Sequence, residues 1–284
     1  MISIEVGDEM ELYQMSNQIF KDISQWIYQE IGLKLTEKKK AMVKARLTKR
    51  LIELKVSSFE EYYQLASGCE SEKCKLINLL TTNVTKFFRE GYHFQFLEEV
   101  LLPKIRSNYK QDKIRVWSAG CSSGEEAYSI AIVLNEFFGE EWDIKILATD
   151  VNTEVLKKGA RGIYSCCELK KLSPMLVDKY FKIIKSSDKR YYQVRDKLRK
   201  QVIFKRLNLN QTKSYQINSK LDLIFCRNVF IYFDDNVKQE VLNFFYNNLK
   251  NRQYLFLGNS DSIDHIVQDN QKWKLLYPTT YQKL

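Results

Sequence analysis

The chain has 284 residues, 44% of them hydrophobic, with 10 Gly, 3 Pro and a formal net charge of +10. This excludes long disordered tracts, allows one large domain or two modest ones, and points to an acidic partner: nucleic acid, an anionic membrane surface or an acidic protein. No apolar run approaches the roughly 18 residues a membrane span needs. Residues 1–12 carry Glu5, Asp8, Glu9 and Glu11 without Lys or Arg, unlike a secretory leader. A cytoplasmic protein is expected.

Residues 10–80 read as helical. Ile19, Ile23, Trp26, Ile27 and Ile31 recur at spacings of three and four. A second helix spans about 37–55 with Val43, Leu47, Leu51 and Leu54 inward, and a third follows the capping pair Ser57-Ser58 through Tyr62, Leu65 and Ala66. The stretch TTNVTKFFRE (81–90) reads as a capped helix start, with Thr85 and Arg89 one turn apart. From about 113 the pattern changes. Strand candidates at 114–119, 144–150, 201–207, 222–227 and 254–258 alternate with helices at 125–138, 153–160 and 235–250. Near-continuous apolar strands of this kind form a mostly parallel, doubly wound sheet covered on both faces. RYYQVR within 176–200 reads as a small β-hairpin insertion, and WKLLYPTTYQKL as a closing antiparallel pair. The implied domains are 1–80, helical; 81–112, a linker or lid; and 113–284, the α/β domain.

Cysteines 69, 74, 121, 166, 167 and 226 form no C-x-x-C pair, and His93 and His265 are the only histidines. A zinc site is therefore not expected, and reduced thiols are. The strongest local signal is VWSAGCSSGEEAYSIAIVL (116–134), in which a strand runs through a turn with Gly120 and Gly124 straight into a helix. Glu125-Glu126 at that helix start suit a cationic ligand better than a pyrophosphate. Asp150, at the end of the next strand, is placed to accept from a ribose diol. A ligand with a ribose, an ammonium and a sulfonium but no phosphate satisfies both, so S-adenosylmethionine is favoured over NAD.

At this point the sequence resembles the chemotaxis receptor methyltransferases, the CheR family. The likeness rests on TTNVTKFFRE, RVWSAGCSSGEEAYSIA, LATDVNTEVLKKGARGIY, FKRLNL and DLIFCRNVFIYFD, in that order. It implies a Rossmann-like class I methyltransferase domain behind a small all-α domain. The implied reaction is S-adenosylmethionine-dependent methylation of receptor glutamates, giving glutamyl methyl esters and S-adenosylhomocysteine. Implied cofactor contacts are Asn83, Thr85, Arg89, Gly120, Glu125, Asp150, Asn208, Leu209, Arg227 and Asn228. The family commonly has Glu where Val84 stands, Pro where Ala127 stands, and Gly-His-Ser-Glu where Gly258-Asn259-Ser260-Asp261 stand. In some relatives an insertion like 176–200 binds a receptor tail peptide.

A receptor carboxylate is ionised near neutral pH, with a reference pKa of about 4.3, and needs no general base. Arg89 is expected to hold the cofactor's carboxylate or orient the glutamate, Tyr232 to position the glutamate, and Phe87, Phe88 and Phe230 to exclude water. Residues 34–55 hold nine Lys or Arg against Glu37 and Glu53. Lys39, Arg46 and Arg50 are candidates for docking the cytoplasmic domains of chemotaxis receptors. The resulting picture is a monomeric bacterial signal-transduction enzyme associated with membrane receptor arrays, without membrane insertion. Two alternatives are a non-catalytic module that binds the cofactor or receptors, and a nucleic-acid methyltransferase. The strand end CRNVFIYF in place of an Asn/Asp-Pro-Pro-Tyr type weighs against the latter, and nucleic acid is not the expected partner.

Overall fold

A computed structural model describes residues 13–108, 112–186, 189–261, 263, 266 and 272–284. The acidic residues of segment 1–12, and His265, lie outside the described residues. The chain divides into two compact units, one of residues 1–82 with 232–234, the other of 83–231 with 235–284.

The first unit is helical because its apolar residues fall on stripes closed by capping residues. Helix α1 (Asn17–Ile31) starts where Ser16 accepts from the Ile19 N–H and stops at Gly32, with φ 72. Ile19, Ile23, Ile27 and Ile31 are buried along one side. A 3₁₀ turn (Glu37–Lys39) leads into α2 (Lys40–Leu54), which buries Val43, Leu47 and Leu51. Leu54 is only half-buried. Ser58 caps α3 (Phe59–Gly68), where Tyr62 and Ala66 are buried and Leu65 is 43% exposed. Helix α4 (Glu70–Leu80) completes the set.

The second unit opens with α5 (Gly91–Phe96), which passes through a π turn (Leu97–Leu101) into α6 (Leu102–Asn108). Residues 91–108 are thus helical and belong to the sheet unit. The strands and helices that follow are β1 (Lys113–Ala119), α7 (Glu125–Phe138), β2 (Asp143–Asp150) and α8 (Thr153–Arg161). Next come β3 (Ile163–Ser165), α9 (Pro174–Tyr180), β4 (Phe181–Ser186), β5 (Lys189–Val194), α10 (Asp196–Arg199) and β6 (Val202–Arg206). The unit closes with β7 (Leu221–Cys226), α11 (Asp235–Asn248), β8 (Leu249–Leu257), β9 (Trp273–Tyr277) and β10 (Thr280–Lys283).

The main sheet runs β6-β2-β1-β7-β8-β10-β9. The first five strands in that order are mutually parallel, and β10 is antiparallel to both neighbours. Central β7 is buried at every residue, and α7 buries residues around most of its circumference, as a sheet covered on both faces requires. The predicted hairpin is β4–β5, joined by β3 into a separate three-stranded sheet. A cavity of about 560 Å³ lies against it, lined by Leu169, Val177, Phe181, Tyr192 and Arg195 among others.

Candidate active site

Strands β1, β2, β6 and β7 are parallel, so their carboxyl ends and following loops collect at one edge of the sheet, where open α/β sheets bind ligands. At the end of β1 the N–H groups of Gly120 and Cys121 both donate to the Thr149 carbonyl, at 2.8 and 2.9 Å, which ties the glycine turn to β2. Gly120 has φ +80, and a Cβ there would stand 2.4 Å from Cγ2 of Val229. Only glycine allows this close approach of the β1 turn to the loop after β7.

Of the sequence-predicted residues of the sheet unit, Asp150, Glu125 and Asn83 are bonded to this turn. Asp150 accepts from the Ser122 and Asn152 N–H groups, both at 2.9 Å. Burial pushes its carboxyl up, and those N–H bonds oppose the shift. Glu125, at the first turn of α7, is buried and accepts from the Ser123 hydroxyl at 2.8 and 2.9 Å; burial raises its carboxyl as well. Ser122 Oγ donates to the Asn83 carbonyl at 3.0 Å, which brings the opening stretch to the turn. Thr85 is half-buried nearby in sequence. Arg89 Nη1 donates to the Val84 carbonyl at 2.9 Å. Asn208 and Leu209 are buried, and the Asn208 side chain caps its own turn by accepting from the Asn210 N–H at 3.0 Å.

Several expectations are corrected. TTNVTKFFRE is not a helix start: residues 81–90 are irregular, and Phe88 and Glu90 have φ 48 and 53. Tertiary bonds override the local pattern, since the Phe88 N–H donates to Ser129 Oγ at 3.0 Å. The Phe87 ring packs edge-on against Tyr164 and Phe181. Thr85 and Arg89 therefore do not share a helix face. Phe87 and Phe230 are fully buried. The Arg227 side chain also turns inward. Its Nε meets Glu126 Oε2 at 2.7 Å, and Nη1 donates to the Arg89 carbonyl at 2.6 Å and reaches His93 Nδ1 at 3.2 Å.

Glu90 escaped sequence reasoning although it lies inside a quoted motif, while Glu126 was read only as part of an acidic pair, His93 only as one of two histidines and Asp261 only as a departure from the family pattern. Glu126 also accepts from the Ser118 hydroxyl at 2.6 Å. His93 Nε2 lies 3.2 Å from the Pro278 carbonyl and 3.0 Å from Thr279 Oγ1. Burial, with the charge of Arg227 beside it, drives its pKa down to about 3, so the ring is neutral. Asp261 accepts backbone N–H bonds from Asn228, Ile231 and Gly258. Asn259 accepts from Tyr92 Oη and donates its N–H to Glu90 Oε1. Of the residues departing from the family pattern, Asp261 thus holds the loops after β7 and β8 together, and Asn259 ties the latter to Tyr92 and Glu90. Asn228, at φ 60, adopts a left-handed conformation that Asn tolerates.

Tyr232, Lys39, Arg46 and Arg50 belong to the helical unit. The Tyr232 carbonyl accepts from the Lys34 N–H, and Lys39 Nζ lies 5.2 Å from its ring centroid. Arg46 Nη1 caps α4 by donating to the carbonyls of Leu79, Leu80 and Thr81. Arg50 grips Glu72 with two bonds, 2.9 and 2.7 Å, and also meets Glu53. Both arginines are braces within the fold. Lys34, Lys38, Lys49 and Lys55 are the exposed cations of this segment.

Two family models match in tandem: "CheR methyltransferase, all-alpha domain" over residues 18–81 and "CheR methyltransferase, SAM binding domain" over 83–278. The chain belongs to the CheR methyltransferase family. Among curated relatives, a chemotaxis protein methyltransferase of Borreliella burgdorferi is 39% identical over 268 residues, 90% of this chain and 91% of that protein. One of Salmonella typhimurium is 38% identical over 278 residues, 94% and 93% of the two chains. The family's cofactor is S-adenosylmethionine, and the site's chemistry fits it. Asp150 ends β2 as a ribose acceptor should, Glu125 adds a carboxylate, and the glycine turn brings backbone close. Among the described residues no helix is long and apolar enough to cross a membrane, and no His/Cys/Asp/Glu group is arranged to hold a metal.

Proposed function

We propose that this methyltransferase acts on glutamate side chains of methyl-accepting chemotaxis receptors and forms glutamyl methyl esters. The observation that carries the reading is that His93, Asp150 and Glu125 are each engaged by hydrogen bonds within the protein. His93 is buried, neutral and bound on both nitrogens. Asp150 and Glu125 are held by backbone N–H groups and a hydroxyl. An amine or alcohol substrate would need its proton removed, whereas a glutamate is already a nucleophile near pH 7.

Bound S-adenosylmethionine supplies a methyl group on a sulfonium. The protein's part is alignment. Asp150 takes the ribose hydroxyls, the glycine turn admits the cofactor against backbone, and Asn83, Thr85, Asn208, Leu209 and Asn228 border it. Arg89 holds the cofactor's carboxylate, and Tyr232 orients the incoming glutamate. The positive α2 region supplies the docking surface through its exposed lysines. The cavity against the β3–β5–β4 sheet supports a second contact, with a receptor tail peptide.

The test is incubation with methyl-labelled S-adenosylmethionine and a receptor cytoplasmic fragment. Base-labile label on the receptor is expected. Label on RNA or DNA would overturn the proposal, and cofactor binding without transfer would favour a non-catalytic module.

A further inference from the structure

Glu90 is unusual on two counts. It holds a left-handed backbone at φ 53, a conformation costly for a side chain with a Cβ, and its carboxylate is turned inward. Oε1 accepts from the Asn259 N–H at 3.2 Å and Asn228 Nδ2 at 3.4 Å. Oε2 is buried and has no hydrogen-bond partner among the described residues; Arg227 Nη1 lies 3.5 Å away. The closer partner of Arg227 is Glu126, at 2.7 Å. Two buried carboxylates therefore share one guanidinium, and the other neighbour is the neutral His93 ring. Buried Asp261, bonded to the Asn228 N–H, adds a third carboxylate beside the single Arg227 guanidinium, an arrangement that costs free energy in a low-dielectric interior. Its immediate neighbours, Arg89 by sequence and Asn228 by hydrogen bond, border the cofactor in the reading above.

We infer that Glu90 is a specificity-determining residue whose charge selectively supports the cationic sulfonium of S-adenosylmethionine over the neutral thioether of S-adenosylhomocysteine. This rests on the proposed placement of the cofactor. A bound sulfonium supplies the missing positive charge, and methyl transfer removes it. Glu90 thus acts on the free-energy difference between cofactor and product.

The experiment is calorimetric titration of the full chain, without receptor, with each ligand separately. Glu90→Gln keeps the shape and an acceptor for the Asn259 N–H but removes the charge. S-adenosylmethionine should bind at least about tenfold more weakly, the effect of a unit charge ~12 Å away at an effective dielectric of ~20 and more at shorter range, and S-adenosylhomocysteine less than about twofold more weakly. Glu90→Asp retains the charge and should leave the ratio of the two affinities within about twofold of the wild type. Equal losses for both ligands in Glu90→Gln would mean a packing role and overturn the inference. Should that variant not fold, Glu126→Gln removes the same charge from the other side of Arg227. It must shift the ratio in the same direction, and an unmoved ratio refutes the idea. Wild-type protein that binds neither ligand would overturn the underlying cofactor reading, a result distinct from any of these.

Discussion

Replacing His93 by Gln should remove a specific part of the acid sensitivity of the sheet unit. For Nδ1 to accept from Arg227, the ring must carry its single proton on Nε2, facing Pro278 and Thr279. A second proton would set N–H against N–H beside a guanidinium, and the folded pKa accordingly sits near 3. In the unfolded chain it returns to about 6.5. Between these values the unfolded state binds the extra proton and the native state does not, so stability falls as pH drops below about 6.5. At pH 5.5 the loss is about 1.4 kcal/mol, one pKa unit's worth, or roughly 3–6 °C in Tm for a unit of this size. Buried Asp150, Glu125 and Asp261, whose carboxyls are raised, act in the opposite direction. The informative quantity is therefore the difference between wild type and His93→Gln. Urea unfolding followed by fluorescence in a Trp26→Phe background reports the sheet unit through Trp117, Trp142 and Trp273. The gap between the two proteins should narrow by about 1.4 kcal/mol from pH 7.5 to 5.5. Parallel curves would refute the assignment of a neutral, proton-refusing His93.

Gly258→Ala puts a Cβ 2.6 Å from the Asn228 nitrogen and 2.8 Å from Asp261 Oδ2. It should cost about 1–3 kcal/mol in thermal or urea unfolding. Arg89→Ala should weaken S-adenosylmethionine binding about tenfold or more in calorimetry without receptor, the scale of a charge-assisted hydrogen bond. Normal binding with lost turnover would instead assign Arg89 to the glutamate. Reversing charge at exposed Lys38 and Lys49 should raise the receptor KM and flatten its salt dependence while stability holds. Arg50→Gln, which breaks the grip on Glu72, should lower the helical unit's stability by about 2 kcal/mol or more. Tyr232→Phe should reduce turnover at saturating cofactor and receptor, and unchanged turnover would remove its hydroxyl from the mechanism.

Residues 125–138 illustrate how much was legible locally. Their predicted and observed helix spans coincide because Gly124 and Gly139 flank a largely apolar run. The alternation from 113 onward likewise placed five strands of the main sheet, since burial on both faces leaves a continuous apolar signature. Asp150 was legible for a similar reason, as a polar residue at the end of such a run. The family could be read from ordered motifs. The environments of the site side chains could not. Arg227 looked like a cofactor contact, yet its partners Glu126, Glu90 and His93 lie 101, 137 and 134 positions away in sequence, a separation no periodicity records. Arg46 and Arg50 looked like free charge until α4 and Glu72 folded against them. TTNVTKFFRE carries helix-capping residues, but Phe87 lies in the core and Ser129 holds the Phe88 N–H, and those contacts impose left-handed turns that local propensity disfavours. Sequence alone determined where the strands end, because apolar burial is written residue by residue. Tertiary structure alone decided which charges meet beyond those ends, because a charge's partner is set by approach in space.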